Sequence, residues 1–238
     1  MSGFGMLYSL WDPTYILVII GAVICMIASA RVKTTFQKYT KYRSMSGMTG
    51  AQAAEKILRS QGIYDVQIAH VSGDLTDHYD PVRKILNLSD SVYGSTSVAA
   101  VGVAAHECGH AVQHQQNYIP LKMRSAIVPA ANFGSMVSWP MIFIGLFIRS
   151  NTGTLLIEIG IVFFSLAVLF QLVTLPVEFD ASSRAVKILG TTGILGDEEL
   201  KYTKKVLGAA ALTYVASAAA MILQLLRLLF ILGGRSRD

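Results

Sequence analysis

Charge is scarce in this 238-residue chain: Asp, Glu, Lys and Arg make up 15% of it, against 53% apolar residues. Average soluble domains carry about 25% charged residues. With a positive mean hydropathy, the shortage excludes an ordinary soluble domain and points to a membrane protein. Cysteine is nearly missing. Only Cys25 and Cys108 occur, one inside an apolar run and one inside a histidine-rich stretch. That excludes a thiol-based metal cluster and a disulfide framework. No Lys or Arg precedes Arg31, whereas a secretory signal begins with basic residues. The first apolar run, Tyr15–Ala30, therefore reads as a retained anchor helix, with Trp11 and Tyr15 at the membrane interface. Ionisable groups are missing from the middle of the apolar runs, with only Glu158 and Arg227 near their ends. A transporter or channel subunit would want them facing one another at mid-span; Arg227 is expected to snorkel to the interface. Internal repeats, low-complexity tracts and long linkers are absent too.

What is present begins with the basic residues. The formal charge is +5, but Lys and Arg cluster beside the apolar runs. Their arrangement fits membrane topology and anionic headgroups rather than nucleic acid, which is not expected as a partner. Arg31, Lys33, Lys38, Lys41 and Arg43 follow the first run and place the next region in the cytoplasm. Further apolar runs cover Ala126–Ile148, Thr154–Pro176 and 206–232. A span needs about 20 apolar residues; the first run reaches that only with its flanks. The link "RSNTG" between the second and third runs is short enough to make them a transmembrane hairpin. Pro129 and Pro140 are expected to kink the second run.

The organisation expected is an anchor (1–30), a cytoplasmic domain (31–122), a transmembrane hairpin (123–176), a second cytoplasmic segment (177–205) and a last span with its tail (206–238). Four spans leave both termini outside. In the polar region, "TGAQAAEKILRSQG" predicts a helix with a capping box from Thr49 and Gln52, ending at Gly62. "VQIAHVSG" and "VRKILNLSD" predict short strands, with the Asp-rich turn "DLTDHYDP" between them. Ser95 or Thr96 is the expected N-cap of the next helix.

That helix carries "VAAHECGHAVQHQQ", Val103 to Gln116. His106 and His110 are four apart and share one face. Two neutral imidazoles at that spacing can grip zinc, with Glu107 beside them as general base, the H-E-x-x-H pattern. Zinc lowers the pKa of its water towards about 7. Three polar groups on an otherwise Ala/Val helix are costly unless paired or metal-bound, which weighs against a plain polar face. His114 lies eight residues beyond His106, about 12 Å along the axis, too far to share the ion; a surface or supporting role is expected. Cys108 points away from that face and is expected to pack. Gly109 permits a close neighbour.

A catalytic zinc has three protein ligands and a water, so one ligand must come from elsewhere. Glu158 lies at the outer end of its span. Glu198 and Glu199 suit a helix start, and Glu55 sits beside Lys56 on a surface-like helix. His70 and His78 remain open. Glu178, in "TLPVEFDASSRA", directly follows an apolar span on the same side as His106 and His110, and is the leading candidate. Asp180 and Arg184 are four apart and can pair, and one of them can orient a ligand. His78, Tyr79, Tyr93 and Arg184 are candidates to stabilise the transition state, His78 first among them. The strand "KILNLSD" could offer an edge to an extended peptide.

The blocks "HYDPVRKILNLSDSVYGSTSVAAVGVAAHECGHAVQ" and "LPVEFDASSRA" resemble the YugP-like neutral zinc metallopeptidases of bacterial membranes, over nearly the whole chain. The resemblance implies a mainly α membrane protein, with four transmembrane helices and a small α+β gluzincin-like peptidase domain. It further implies one zinc per chain, and in the gluzincin plan a Glu on a later helix completes the site, as Glu178 would. The plan is also similar to that of prenyl-protein and heat-shock-related membrane proteases. Those carry Asp four residues after the ligand Glu; here that place is Ser182, and Asp180 comes two residues after Glu178 instead. The function expected is hydrolysis of peptide bonds by zinc-activated water, on membrane-associated polypeptides at the cytoplasmic face of a multi-pass membrane protein. The alternative is a zinc-binding adaptor without activity.

Overall fold

The computed structural model describes residues 13–148 and 150–235; Trp11 lies outside them. In chain order the elements are α1 (Tyr15–Thr40), α2 (Gly50–Ser60), β1 (Gln67–Val71), β2 (His78–Asp80), β3 (Ile85–Ser89), α3 (Asp90–Tyr93), α4 (Val98–Gln115), α5 (Ile119–Phe147), α6 (Asn151–Thr191) and α7 (Asp197–Arg235). Four of these helices, α1, α5, α6 and α7, are long and apolar enough to cross a membrane. The described residues are mainly helical, with one small sheet among them.

Two compact units emerge. One comprises the described residues up to Ile27, Met123–Val173 and those from Tyr214 onward. Its core is apolar, with Ile142, Ile157, Ile161, Phe164, Val168 and Leu228 buried. α5 and α6 pack closely enough that a Cβ on Gly160 would stand 3.0 Å from the Ser138 carbonyl. Small residues serve this purpose between membrane helices. Outward, Ile19, Ile27, Val162 and Phe230 stay exposed, which suits lipid as solvent. Arg227 lays its guanidinium over the Tyr15 ring, 3.9 Å from the centroid. Pro129 and Pro140 lie inside α5 without ending it.

The other unit comprises Ala28–Lys122 and Thr174–Thr213. Its centre is α4, whose Ala99, Ala100, Val101, Ala104, Ala105 and Cys108 are all fully or nearly fully buried. Small side chains let other elements approach the helix on every side. Around it lie Ile57 of α2, Leu86 and Leu88 of β3, Val92 of α3, and Ala185, Ile188 and Leu189 of α6. The N-cap of α4 is Ser97, whose Oγ accepts from the Ala100 amide at 3.1 Å. The cap expected at Ser95 or Thr96 therefore moves one or two residues on, because Ser95 spends its hydroxyl on Ser97. α2 has both bonds of its capping box, and Gly62 follows it at φ +72°.

The sheet has the order β1-β3-β2, with β1 parallel and β2 antiparallel to β3. Part of the expected turn "DLTDHYDP" is thus a third strand, with His78, Tyr79 and Asp80 opposite Asn87, Leu86 and Ile85. Asp80 then closes the turn by accepting from the Val82 and Arg83 amides. This corrects the edge assignment. β3 is central and has both sides paired, so "KILNLSD" offers no free edge, whereas β2 is an edge strand.

α6 also runs further than its apolar stretch, through Pro176 to Thr191. Proline loses only its own N–H bond and the fit to the preceding turn. Beyond it, Val177, Ala181, Ala185, Ile188 and Leu189 repeat at helical spacing and are buried. The segment read as a second cytoplasmic stretch is therefore helix, turn and helix.

Candidate metal centre

α4 presents His106 and His110 one turn apart, and α6 brings Glu178 against them. Glu178 Oε2 lies 3.3 Å from His106 Nε2 and 3.6 Å from His110 Nε2. One donor atom from each residue falls within 4.8 Å of the others. The imidazoles are nearly perpendicular, at 84°. Glu178 is 3% exposed.

These distances favour a metal over a direct ion pair. A charge-assisted N–H···O bond closes to about 2.7–2.9 Å. Two ligands about 2.05 Å from a tetrahedral zinc stand roughly 3.3 Å apart. Two imidazoles and one carboxylate are the protein donor set of a catalytic zinc. The residues present fit the ion.

The close approach of α6 has a cause at Gly109. A Cβ there would lie 2.5 Å from the Ala181 carbonyl oxygen, so any larger residue would push α6 and Glu178 away. Cys108 faces the other way, its Sγ 3.6 Å from the Ala54 carbonyl. Burial pushes its thiol well above the ordinary range, and it packs as expected.

Glu107 is 8% exposed. Its carboxylate makes no hydrogen bond or ion pair with another described residue, which leaves both oxygens uncommitted. For His110, burial alone would push the pKa down, but hydrogen bonding to Glu178 and the nearby Glu107 charge outweigh it and hold it above the usual value.

The far nitrogens of both histidines are also held. His106 Nδ1 is 3.1 Å from Ser182 Oγ, and His110 Nδ1 is 3.0 Å from Gln113 Oε1. Ser182, four residues after Glu178, is thus the side chain that holds the far nitrogen of His106. Gln113 was missed by sequence reasoning. Its one available signal was its spacing, three residues after His110, and a fully buried glutamine is not visible in a pattern. Asp180 does not reach a histidine directly; it accepts from Gln113 Nε2 at 2.8 Å and pairs with Arg184. Arg184 also donates to Gln116 and lies over the Tyr118 ring.

The other candidates separate. His78 is exposed on β2, with Nδ1 2.9 Å from the Thr76 carbonyl and Nε2 3.1 Å from Asn87 Nδ2. Both nitrogens are engaged locally, leaving no free N–H. Tyr79 turns its hydroxyl to His114 Nδ1, 3.0 Å away. Burial pushes the Tyr79 phenol up to about 12, so it stays protonated and can donate. Tyr93 stacks edge-on to His70, which pairs with Asp90. Glu55 pairs with Arg59, and Glu198 with Lys201. Glu199 is buried but accepts from the Met45 and Gly196 amides, so it ties backbone together.

Comparison with known proteins agrees with this chemistry. Residues 14–233 match the model of the family described as "Putative neutral zinc metallopeptidase", and the chain belongs to that family. In particular, it is similar to the "Putative membrane protease YugP" of Bacillus subtilis (strain 168). The two are 48% identical over 212 residues, covering 89% of this chain and 93% of that protein. No solved structure matches the chain.

Proposed function

We propose that this protein is a membrane-bound zinc endopeptidase whose ion is held by His106, His110 and Glu178, with Glu107 as general base. The observation that supports this most is the spacing of the three donor atoms, together with a buried, unpartnered Glu107 beside them. Zinc, when bound, supplies Lewis-acid polarisation of a peptide carbonyl and a more acidic water. Glu107 would take a proton at its carboxylate and return it to the leaving amide nitrogen. Tyr79, a neutral donor, is the favoured group for the developing oxyanion, ahead of His78. Asp180 and Arg184 act on the geometry of the site and not on the substrate. The basic residues Arg31 to Arg43, which follow the first apolar run, support a cytoplasmic placement of the site, and the apolar helices support membrane-associated polypeptides as substrates.

The test is purification in detergent, with zinc content and casein cleavage measured for wild type, Glu107→Gln and Glu178→Ala. Glu107→Gln should keep zinc and lose about 10²–10⁴-fold in kcat. Glu178→Ala should lose zinc. A folded, zinc-loaded wild type that cleaves nothing beyond Glu107→Gln would make the protein a zinc-binding adaptor.

A further inference from the structure

Gln113 is 0% exposed, and each end of its amide is committed. Nε2 lies 2.8 Å from the Val177 carbonyl oxygen and 2.8 Å from Asp180 Oδ2. A carbonyl and an Arg-paired carboxylate only accept hydrogen bonds, so the donating NH2 end belongs there. That turns the carbonyl end, Oε1, towards His110 Nδ1 at 3.0 Å. A carbonyl oxygen also only accepts. His110 must therefore carry a proton on Nδ1, whatever the state of its other nitrogen. In the neutral ring this leaves the lone pair on Nε2, the atom 3.6 Å from Glu178 Oε2. Ser182, at His106, imposes no such choice, because a hydroxyl can donate or accept.

We infer that Gln113 is a positioning residue that sets the tautomer and ring orientation of His110, with Asp180 and Arg184 acting through it. The inference rests on reading the cluster as a zinc centre. An amide suits this position for an electrostatic reason. Glu107 and Glu178 already bring two carboxylates to His110. A carboxylate at 113 would add a third negative charge and would lose both donors to Val177 and Asp180. The glutamine passes the orientation set by Asp180 on to the imidazole without its charge. It also bonds the ligand helix α4 to the backbone of α6 at Val177, one residue before Glu178. The same side chain thus registers two of the three ligands.

The experiment measures zinc affinity by chelator competition on the full chain in detergent, for wild type, Gln113→Met, Asp180→Asn and the double variant. Methionine keeps the volume and removes all three hydrogen bonds. Visible spectra of the cobalt-loaded proteins report ligand geometry independently of turnover. Gln113→Met, shown folded by circular dichroism, should bind zinc about 10–100-fold more weakly, with a shifted cobalt band. Asp180→Asn should weaken binding less, and should add nothing in the Gln113→Met background. A folded Gln113→Met with wild-type affinity and cobalt spectrum overturns the inference. Full additivity in the double variant overturns the route through Gln113. If Gln113→Met does not fold, Asp180→Asn and Arg184→Met test the same chain, and unchanged affinity in both overturns it. A wild type that binds no zinc removes the metal-centre reading itself, an outcome distinct from these.

Discussion

At the scale of single residues, the site is built from groups whose partners are settled by what they can donate. Tyr79 shows this. Its raised pKa keeps the hydroxyl protonated, and with the His114 proton on Nδ1 the imidazole donates to the phenol oxygen and leaves the O–H free for substrate. The evenly spaced third histidine therefore orients a tyrosine and takes no part in the metal cluster. If Tyr79 stabilises the oxyanion, Tyr79→Phe should lower kcat by about 10²-fold at unchanged zinc content. Wild-type kcat would reduce the pair to a clasp between β2 and α4. His110 gives a pH prediction. Its folded pKa in the metal-free protein is raised, so the protonated form pairs with Glu178 and stabilises the fold. That contribution is full below the unfolded histidine value of about 6.5 and is lost as pH rises through the raised folded value. Zinc needs the neutral ring and follows the opposite trend. Across this window, the melting temperature of metal-free protein should fall with rising pH while zinc affinity increases. Parallel trends would contradict the pairing.

At the scale of elements, the centre depends on how closely two helices meet. α4 contributes adjacent turns, but Glu178 arrives only because Gly109 leaves room for the backbone of α6. Gly109→Ala would place a methyl against a carbonyl oxygen that cannot rotate away. It should lower zinc affinity by at least tenfold, and melting of the metal-free protein should show it less stable than wild type. Wild-type zinc affinity in that variant would show that α6 can shift without moving Glu178. The helix beyond Pro176 matters equally. Its positions Val177, Ala181 and Ala185 are buried, Ala185 in the core around α4, and that face determines where Glu178 and Ser182 stand.

At the scale of the whole molecule, four apolar helices and a polar unit share one chain, and the basic residues Arg31 to Arg43 are the main topological signal. Reporter fusions at the described end of α7 and within the region between α1 and α5 would test the orientation. The proposal expects the latter in the cytoplasm and the former outside; the reverse result would put the site on the other face.

The local pattern determined a great deal. The pair His106 and His110, with Glu107 between them, was legible because a 3.6-residue helix puts positions four apart on one face. The four apolar runs were legible because lipid demands continuous apolar length. Glu178 was legible less directly, as a carboxylate placed where a solvated charge is out of character. Tertiary structure alone decided the rest. Strand β2 is too short to show an alternating pattern, so only its pairing with β3 revealed it. Ser182 and Gln113 are ordinary residue types that became partners of the histidines through the packing of α6 on α4. A sequence records what a side chain can donate or accept, and only the fold brings together the atoms that do so, here across the 67 positions that separate Asp180 from Gln113.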